Sequence, residues 1–304
     1  MTSALPHEVL LARFGDKVKE NVSLAPYTSA RIGGPADYLV TASTADELAE
    51  IVSMLWEKGL NYFMLGSGSN ILISDKGIRG ITVLNRARAV RFENGSQPKV
   101  WAESGVIFSN LANRCASKGL SGLEWAATVP GTIGGAVYGN AGAFGGDVSG
   151  NLIQAEILTE AGRAQWPVEK MEYGYRTSVL KHSQTKAVVL SAELSLKIAT
   201  KEEVAVKIEQ FSERRKSTQP PGASMGSMFK NPTDDYAGRL IEAAGLKGTR
   251  IGNAEISPAH GNFFVNHGQT KASDIRALIE LAQKTVADKL GVKLELEIEL
   301  IGEW

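Results

Sequence analysis

GLEWAATVPGTIGGAVYGNAGAFGGDV, residues 122–148, is the least ordinary stretch in a chain of 304 residues. Between residues 130 and 150 there are eight glycines and a single charged side chain, Asp147. Glycine loses more backbone freedom on folding than any other residue, so this density is costly unless the backbone must approach something closely. Gly131, Thr132, Ile133, Gly134 and Gly135 follow Pro130, while Gly139, Asn140, Ala141 and Gly142 make a second turn of small residues. Such a surface can lie flush against a pyrophosphate or a flat ring. The plainer reading is a close-packed crossing of two backbone segments.

Upstream, ADYLVTA (36–42) reads as a strand, TADELAEIVSMLWEKG (44–59) as a helix capped by Thr44 and stopped by Gly59, and NYFMLG (61–66) as another strand. With a short amphipathic helix in front, this alternation predicts a small α/β unit over residues 1–85. From Gly80 the segments GITVLN, AVRFEN and KVWAES, rich in β-branched and aromatic residues, precede the helical FSNLANRCASKG. LIQAEILTE and KAVVLSAELSLKI follow Gly150, and together these predict an α+β domain over residues 86–200. KEEVAVKIEQFSERRKSTQPPG is a charged helix ended by Pro220 and Pro221 that leads into a third unit, residues 201–291. That unit has the helices DDYAGRLIEAAG and ASDIRALIELAQKTVADKLG, with HGNFFVN as a strand between them. KLELEIELIG, within residues 292–304, closes the chain as an alternating strand.

Lys plus Arg and Asp plus Glu are equal at 33 each, so no overall field favours nucleic acid or an anionic membrane, and an anionic ligand needs a local site. Cys115 is the only cysteine, which excludes an internal disulfide and suits a reducing compartment. His7, His182, His260 and His267 lack metal-ligand spacing, so no metal is expected. The first residues, MTSALPHEVLLARFGDKVKENV, have no basic flank, long apolar core or small-residue cleavage pattern, so no signal peptide is expected. No apolar run approaches the roughly 20 residues of a spanning helix. The expectation is a soluble, cytoplasmic protein.

Four further segments carry candidate chemistry. In LGSGSNILI (65–73), Gly66, Ser67, Gly68, Ser69 and Asn70 offer amides for an anion-binding nest, or simply make a turn. No helix pattern follows at once, so neither the Rossmann nor the P-loop pattern applies. In YGYRTSVLK (173–181), Arg176 lies among aromatics and offers a permanent, forked cation to a carboxylate; the alternative is a stacked or ion-paired structural arginine. In GSMFKNP (226–232), Ser227 can present its hydroxyl and Lys230 with Asn231 suits a phosphate or sugar, but no GxSxG elbow marks a hydrolase nucleophile. In the last strand Leu294, Leu296, Ile298 and Leu300 face one way and Glu295, Glu297 and Glu299 the other, a pattern that also describes a solvated edge. Periodicity does not choose among the three glutamates. Cys115 reads as a small buried apolar side chain and His182 as a solvated turn residue.

Taken in order, RIGGPADYLV (31–40), LGSGSN, the 130–146 run, YRTS, GSMFKNP, LKGTRIGNAEIS and LELEIELIG resemble the signatures of the UDP-N-acetylenolpyruvoylglucosamine reductase family over nearly the whole chain. The resemblance implies an α+β fold: two α/β subdomains of the vanillyl-alcohol-oxidase-like flavoprotein type that clasp non-covalent FAD, an α+β substrate-binding domain, and a C-terminal strand returning to the active site. It implies NADPH-dependent reduction of UDP-N-acetylglucosamine enolpyruvate to UDP-N-acetylmuramate in peptidoglycan precursor synthesis, hence a part in cell wall biogenesis, cell shape and cell division, with no obligate protein partner. By the same resemblance Arg176, Ser227 and Glu297 are catalytic. Residues 66–70 and 130–135 meet the FAD pyrophosphate, and Asn140, Ala141 and Gly142 lie nearer its ring system. Lys230, Asn231, Arg214 and His260 are the candidate substrate contacts. No tyrosine lies between Lys186 and Gln210, so the chain resembles the shorter subtype without a substrate-covering tyrosine loop. It departs from the family pattern at Gly174, where a bulkier residue is common, and in HGNFF, with Gly261, where HANF is usual.

The implied chemistry places negative charge on the carbon and carboxylate next to the alkene carbon that takes the hydride. Arg176 lies against that carboxylate, a protonated Glu297 hydrogen-bonds to the same enolate, and Ser227 delivers the proton. Two other readings stand beside this one. A flavin-linked carbohydrate or alcohol oxidase often tethers its flavin through a histidine, and residues 66–70 and 130–146 contain none. A non-catalytic nucleotide-binding module has no use for Arg176, Ser227 and Glu297 together.

Overall fold

The computed structural model describes residues 6–183 and 185–304, so residues 1–5 of the segment read for a leader lie outside the described residues, as does the side chain of His7. Local signals near the N-terminus form as the chain dictates. Thr44 has extended backbone and its hydroxyl oxygen accepts the Glu47 amide at 3.1 Å, which starts the helix Ala45–Glu57. Val18–Ser23, Pro35–Ala42, Ile78–Asn85 and Tyr62–Leu65 form a four-stranded sheet in that order.

The chain makes two compact units from interleaved segments: residues up to 39, 67–82 and 215–304 in the first, and 40–66 with 83–214 in the second. These cuts differ from the sequence divisions at 85, 200 and 291. The first unit has a core in which Ala30, Ile32 and Leu72 pack with Phe229, Phe264 and Leu278, so distant parts of the sequence share one interior.

In the second unit a five-stranded antiparallel sheet runs Gly162–Pro167, Leu152–Thr159, Ala187–Ser195, Lys99–Glu103, Val90–Glu93. Val188, Val189, Leu190, Ser191 and Ala192 are buried in succession, so the central strand is covered on both faces. The helices Ala45–Glu57 and Ile133–Gly139 both pack on that strand. Phe108 meets Trp125 edge-on, with ring centroids 5.2 Å apart, in the same core. The glycine-rich run, read from sequence as turns, contains the seven-residue helix Ile133–Gly139 and a tight hairpin pairing Gly142–Ala143 with Gly146–Asp147.

In the first unit a three-stranded antiparallel sheet, Arg250–Ile251, Ala254–Ile256 and Phe264–Asn266, packs with the helices Ala237–Ala243 and Ala272–Leu290. The C-terminal strand is shorter than its alternation predicts. Only Glu299–Ile301 is strand, parallel to Ile71–Ile73. The segment changes partner part way: Leu296 pairs with Phe229, then the Glu299 amide donates to the Asn70 carbonyl at 3.0 Å. A single ladder cannot follow both neighbours. Leu294 and Ile298 are buried and Glu295 is exposed, but Leu296, Glu297, Glu299 and Leu300 are all half-buried, so the burial does not keep the strict two-residue period of the sequence through the break. No helix among the described residues is long and apolar enough to cross a membrane.

Candidate active site

The candidate residues fall into two groups, one in each unit. In the first unit, three backbone segments come together around Ser227. Ser227 pairs with Phe263, and the Met228 amide donates to the Asn262 carbonyl at 2.8 Å. On the other side the Glu297 amide donates to the Met228 carbonyl at 2.9 Å, and the Lys230 amide to the Glu295 carbonyl at 2.9 Å. Asn70 closes the group, its side-chain amide donating to the Glu297 carbonyl at 3.0 Å. Ser227, Glu297 and Asn70, 227 residues apart at the extremes, thus share one neighbourhood.

Asn262 is the residue that sequence reasoning missed. Its carboxamide is buried and pairs with Phe229 as a neighbouring strand would, accepting the Phe229 amide at 2.8 Å and donating to the Phe229 carbonyl at 2.8 Å. HGNFF was visible as a motif, but nothing in its spacing shows an asparagine facing a backbone. His260 accepts the Asn262 amide on Nδ1 at 3.2 Å, so that nitrogen carries no proton and the substrate-facing role expected of His260 is left to Nε2. Burial holds His260 below the ordinary histidine range. Gly261 fits because a Cβ there would lie 2.7 Å from the Gly238 carbonyl oxygen, so the alanine usual at this place would push this loop off the helix Ala237–Ala243.

Asn231 uses its side-chain oxygen to accept the Ala237 amide at 3.1 Å, capping the helix Ala237–Ala243, which leaves its NH2 group for a ligand. Lys230 lies 3.6 Å from Glu295, a pair with Glu295 largely in solvent. In the 66–70 turn, Gly68 has φ +57° and a Cβ there would fall 2.7 Å from the Tyr27 carbonyl oxygen, so only glycine fits. The Ser67 hydroxyl oxygen is buried with no hydrogen-bond partner among the described residues.

In the second unit the glycine-rich run is partly the close crossing that its composition allowed. The Ile133 and Gly134 amides donate to the Val106 and Ser104 carbonyls at 2.9 and 2.8 Å, so these two amides are already engaged. A Cβ on Gly134 would sit 3.0 Å from that of Ser104, and one on Gly66 would sit 2.7 Å from the Thr132 hydroxyl. Gly135 is different, with no atom closer than 3.7 Å to its would-be Cβ. Thr132 caps the helix, its hydroxyl accepting the Gly135 amide at 3.5 Å.

Arg176 sits at the tip of a two-residue hairpin closed by Gly174 and Thr177, with φ +58°. Its Nη1 lies 3.4 Å from where a Gly142 Cβ would be, a place that Asp147 Cβ and the Gly146 carbonyl oxygen, each at 2.9 Å, also crowd, so glycine there lets the hairpin close beside the guanidinium. Gly174 belongs to this tight turn; a Cβ there would lie 3.2 Å from the Thr177 methyl. Arg214 lies on the helix Lys201–Thr218 with its guanidinium 6.0 Å from the Phe144 ring, which stacks on Phe211 at 4.7 Å. Cys115 is buried and its thiol is pushed up to about 12 by desolvation, an inert side chain. Among the described residues no group of three or more His, Cys, Asp or Glu side chains is placed to hold a metal ion.

The orphaned Ser67 hydroxyl in the first unit and the exposed, uncrowded Gly135 in the second suit close approach of a phosphate-bearing cofactor, whereas Gly68 packs on Tyr27 and Thr28 and Gly142 on Asp147 and Gly146. Residues 36–166 match the FAD binding domain family, and residues 217–301 match the C-terminal domain of UDP-N-acetylenolpyruvoylglucosamine reductase. The chain is 43% identical over 289 residues to the UDP-N-acetylenolpyruvoylglucosamine reductase of Chloroflexus aggregans, covering 93% of this chain and 97% of that one. It is 42% identical to the enzyme of that name from Bacillus subtilis, covering 94% of each. The crystal structure of UDP-N-acetylenolpyruvylglucosamine reductase from Thermus caldophilus superposes with a TM-score of 0.78 at 35% identity, over 92% of this chain and 97% of that one. On identity, coverage and fold together, the chain belongs to the UDP-N-acetylenolpyruvoylglucosamine reductase family.

Proposed function

We propose that Arg176, Ser227 and Glu297 carry the residue chemistry of the reaction this FAD-dependent oxidoreductase performs, reduction of the enolpyruvyl group in peptidoglycan precursor synthesis. The substrate is UDP-N-acetylglucosamine enolpyruvate, the product UDP-N-acetylmuramate, and NADPH the hydride donor. FAD, when bound, links the two half-reactions by taking hydride from NADPH and giving it to the alkene. Arg176 holds a permanent cation against the substrate carboxylate, which gains charge as hydride arrives at the terminal alkene carbon. Glu297, in its protonated form, donates a hydrogen bond to the same enolate. Ser227 transfers its hydroxyl proton to the carbon next to the carboxylate and completes the reduction.

The observation that carries this reading is the backbone bond from Glu297 to Met228 at 2.9 Å, which brings the acid beside the serine. The proposed cofactor contacts are Gly66, Ser67, Gly68, Ser69 and Asn70, and Pro130, Gly131, Thr132, Ile133, Gly134 and Gly135 for the pyrophosphate, with Ile133 and Gly134 serving by close approach of their backbone rather than by their amides, which Val106 and Ser104 hold. Asn140, Ala141 and Gly142 serve the ring end through their backbone. Lys230, Asn231, His260 and Arg214 contact the UDP moiety, with the free NH2 of Asn231 and Nε2 of His260 as the available groups. Residues 201–291 form the substrate-binding domain in this reading, supported by the match of residues 217–301 to the family's C-terminal domain; residues 1–85 and 86–200 are the two FAD subdomains and 292–304 the returning strand. A buried lone cysteine is consistent with a reducing cytoplasm, and every role named is filled from this one chain.

The decisive experiment compares the two half-reactions of Ser227→Ala. NADPH should bleach the flavin at the normal rate, and added UDP-N-acetylglucosamine enolpyruvate should fail to restore its colour. Equal slowing of both half-reactions would remove Ser227 from the proton-transfer role.

A further inference from the structure

We propose that Asn140, with Tyr173 and Ser178, is a positioning residue for Arg176, fixing the arginine turn to the end of the helix Ile133–Gly139. This inference rests on the role given to Arg176 above. The helix ends in a left-handed Asn140, φ +46°, and its last carbonyls have no partner within the helix. The residues around Arg176 supply those partners. The Tyr173 hydroxyl donates to the Val137 carbonyl at 2.9 Å, and the Ser178 hydroxyl to the Tyr138 carbonyl at 2.6 Å. In the opposite sense, Asn140 donates its side-chain amide to the Gly174 carbonyl at 3.0 Å.

Each bond falls within a few residues of Arg176, one on either side of the hairpin tip and one on the residue that closes it. The Gly174 carbonyl also accepts the Thr177 amide at 3.4 Å, so Asn140 holds the closing pair of the turn. Asn140 is itself fully engaged, because its side-chain oxygen accepts the Ser149 amide at 3.0 Å and the residue is buried. Its carboxamide therefore serves the protein, and a role toward the cofactor falls to its backbone.

Such a frame matters because Arg176 has φ +58°, a left-handed conformation that long side chains seldom adopt and that surrounding structure must impose. Burial, with Asp147 nearby, raises the Tyr173 hydroxyl above its ordinary value and keeps it a donor at any working pH. The helix between Thr132 and Asn140 thus joins the glycine-rich cofactor loop at one end to the arginine turn at the other.

The test uses the FAD-loaded enzyme and five proteins besides the wild type: Ser178→Ala, Tyr173→Phe, Arg176→Ala, and each of the first two combined with Arg176→Ala. FAD content is read from visible absorbance, and each half-reaction by stopped flow with NADPH or with the enolpyruvyl substrate. Ser178→Ala and Tyr173→Phe should keep their FAD and their NADPH half-reaction, and slow the substrate half-reaction about tenfold or more, the scale of a misplaced group. Neither double variant should be slower than Arg176→Ala alone, since the frame acts only through the arginine. Loss of FAD from both single variants, equal slowing of both half-reactions, or slowing that multiplies in the double variants would overturn the inference. If one of the two does not fold, the other is held to the same outcomes. An unchanged substrate half-reaction in Arg176→Ala overturns the role of the arginine itself, whereas a slowed Arg176→Ala beside normal Ser178→Ala and Tyr173→Phe overturns only the positioning.

Discussion

Glu297 donates its backbone amide to the Met228 carbonyl at 2.9 Å, which sets the acid one residue from Ser227 across adjacent segments. The backbone of Glu297 is gripped on its other side by Asn70, so its side chain projects from a fixed point. A neutral carboxyl that donates a hydrogen bond is imitated by an amide and not by a methyl group. Glu297→Gln should retain a substantial part of the substrate half-reaction, while Glu297→Ala should lose about a hundredfold or more, the size of a lost oxyanion donor. Equal losses in the two variants, measured by single-turnover flavin reoxidation, would rule out the neutral-acid role.

Asp75 reaches the start of the helix Ala272–Leu290 from 197 residues earlier in the chain, accepting the Ala272 and Ser273 amides at 2.7 and 3.0 Å. Partial burial, the largest single influence, would raise the carboxyl, but the Ser273 and Ala272 amides, the Ser273 side chain and the charge of Lys271 together outweigh it and hold the group below the ordinary range. A depressed carboxyl contributes stability that is fully present above the unfolded value of 3.8 and is lost as pH falls through the lower folded value. Asp75→Ala should cost about 1 kcal/mol at neutral pH, the worth of a helix cap on an exposed, solvent-screened group. Chemical denaturation would show it, and the gap between variant and wild type should narrow as the pH falls below 3.8 and through the lower folded value.

Much of this was legible locally, because Thr44, Gly59 and the alternating strands specify their conformations within a few residues. The helix Ile133–Gly139 was not, since three of its seven residues are glycine and its first amides are held by Val106 and Ser104 rather than by intrinsic propensity. Partition into compact units was equally hidden. Ala30, Ile32 and Leu72 carry no mark in the sequence that they pack with Phe229 and Leu278. At the site, period-two alternation separates the glutamates from the leucines, but all three glutamates have long-range backbone bonds, Glu295 to Lys230, Glu297 to Met228 and Asn70, and Glu299 to Asn70, and what distinguishes Glu297 is that its partner Met228 adjoins Ser227. A buried carboxamide facing a backbone, as at Asn140 and Asn262, has no periodic signature at all.

His260 couples the same neighbourhood to pH. Burial lowers it, with Lys247 acting in the same direction and Glu242 and its own backbone opposing. The unfolded chain therefore binds this proton more readily than the folded one, and stability rises with pH between the lowered folded value and the unfolded value of 6.5. Above 6.5 the contribution is fully present; below the folded value it is gone. Denaturation midpoints taken between pH 5 and 8 should fall toward acid, and His260→Gln should flatten that slope. A slope that survives the substitution unchanged would assign the pH dependence to other groups.

Asn262 should be the most sensitive of these positions to substitution. Phe229 is fully buried, and the Asn262 carboxamide pairs with both its amide and its carbonyl, at 2.8 Å each. Asn262→Ala leaves two backbone groups without those bonds in a dry interior, at a cost of about 2–5 kcal/mol. Asn262→Asp keeps the acceptor but places a charge opposite the Phe229 carbonyl, so it should be no milder at neutral pH. Asn262→Gln retains both kinds of group but lengthens the reach, and overpacking of about 1–3 kcal/mol is expected. The measurements are urea midpoints for all three, set against the rate of the substrate half-reaction. Because the Met228 amide also binds the Asn262 carbonyl, any variant that folds should slow proton transfer from Ser227 while leaving reduction by NADPH intact. Wild-type stability in Asn262→Ala would mean that Phe229 finds its partners elsewhere and that the carboxamide does not hold this segment.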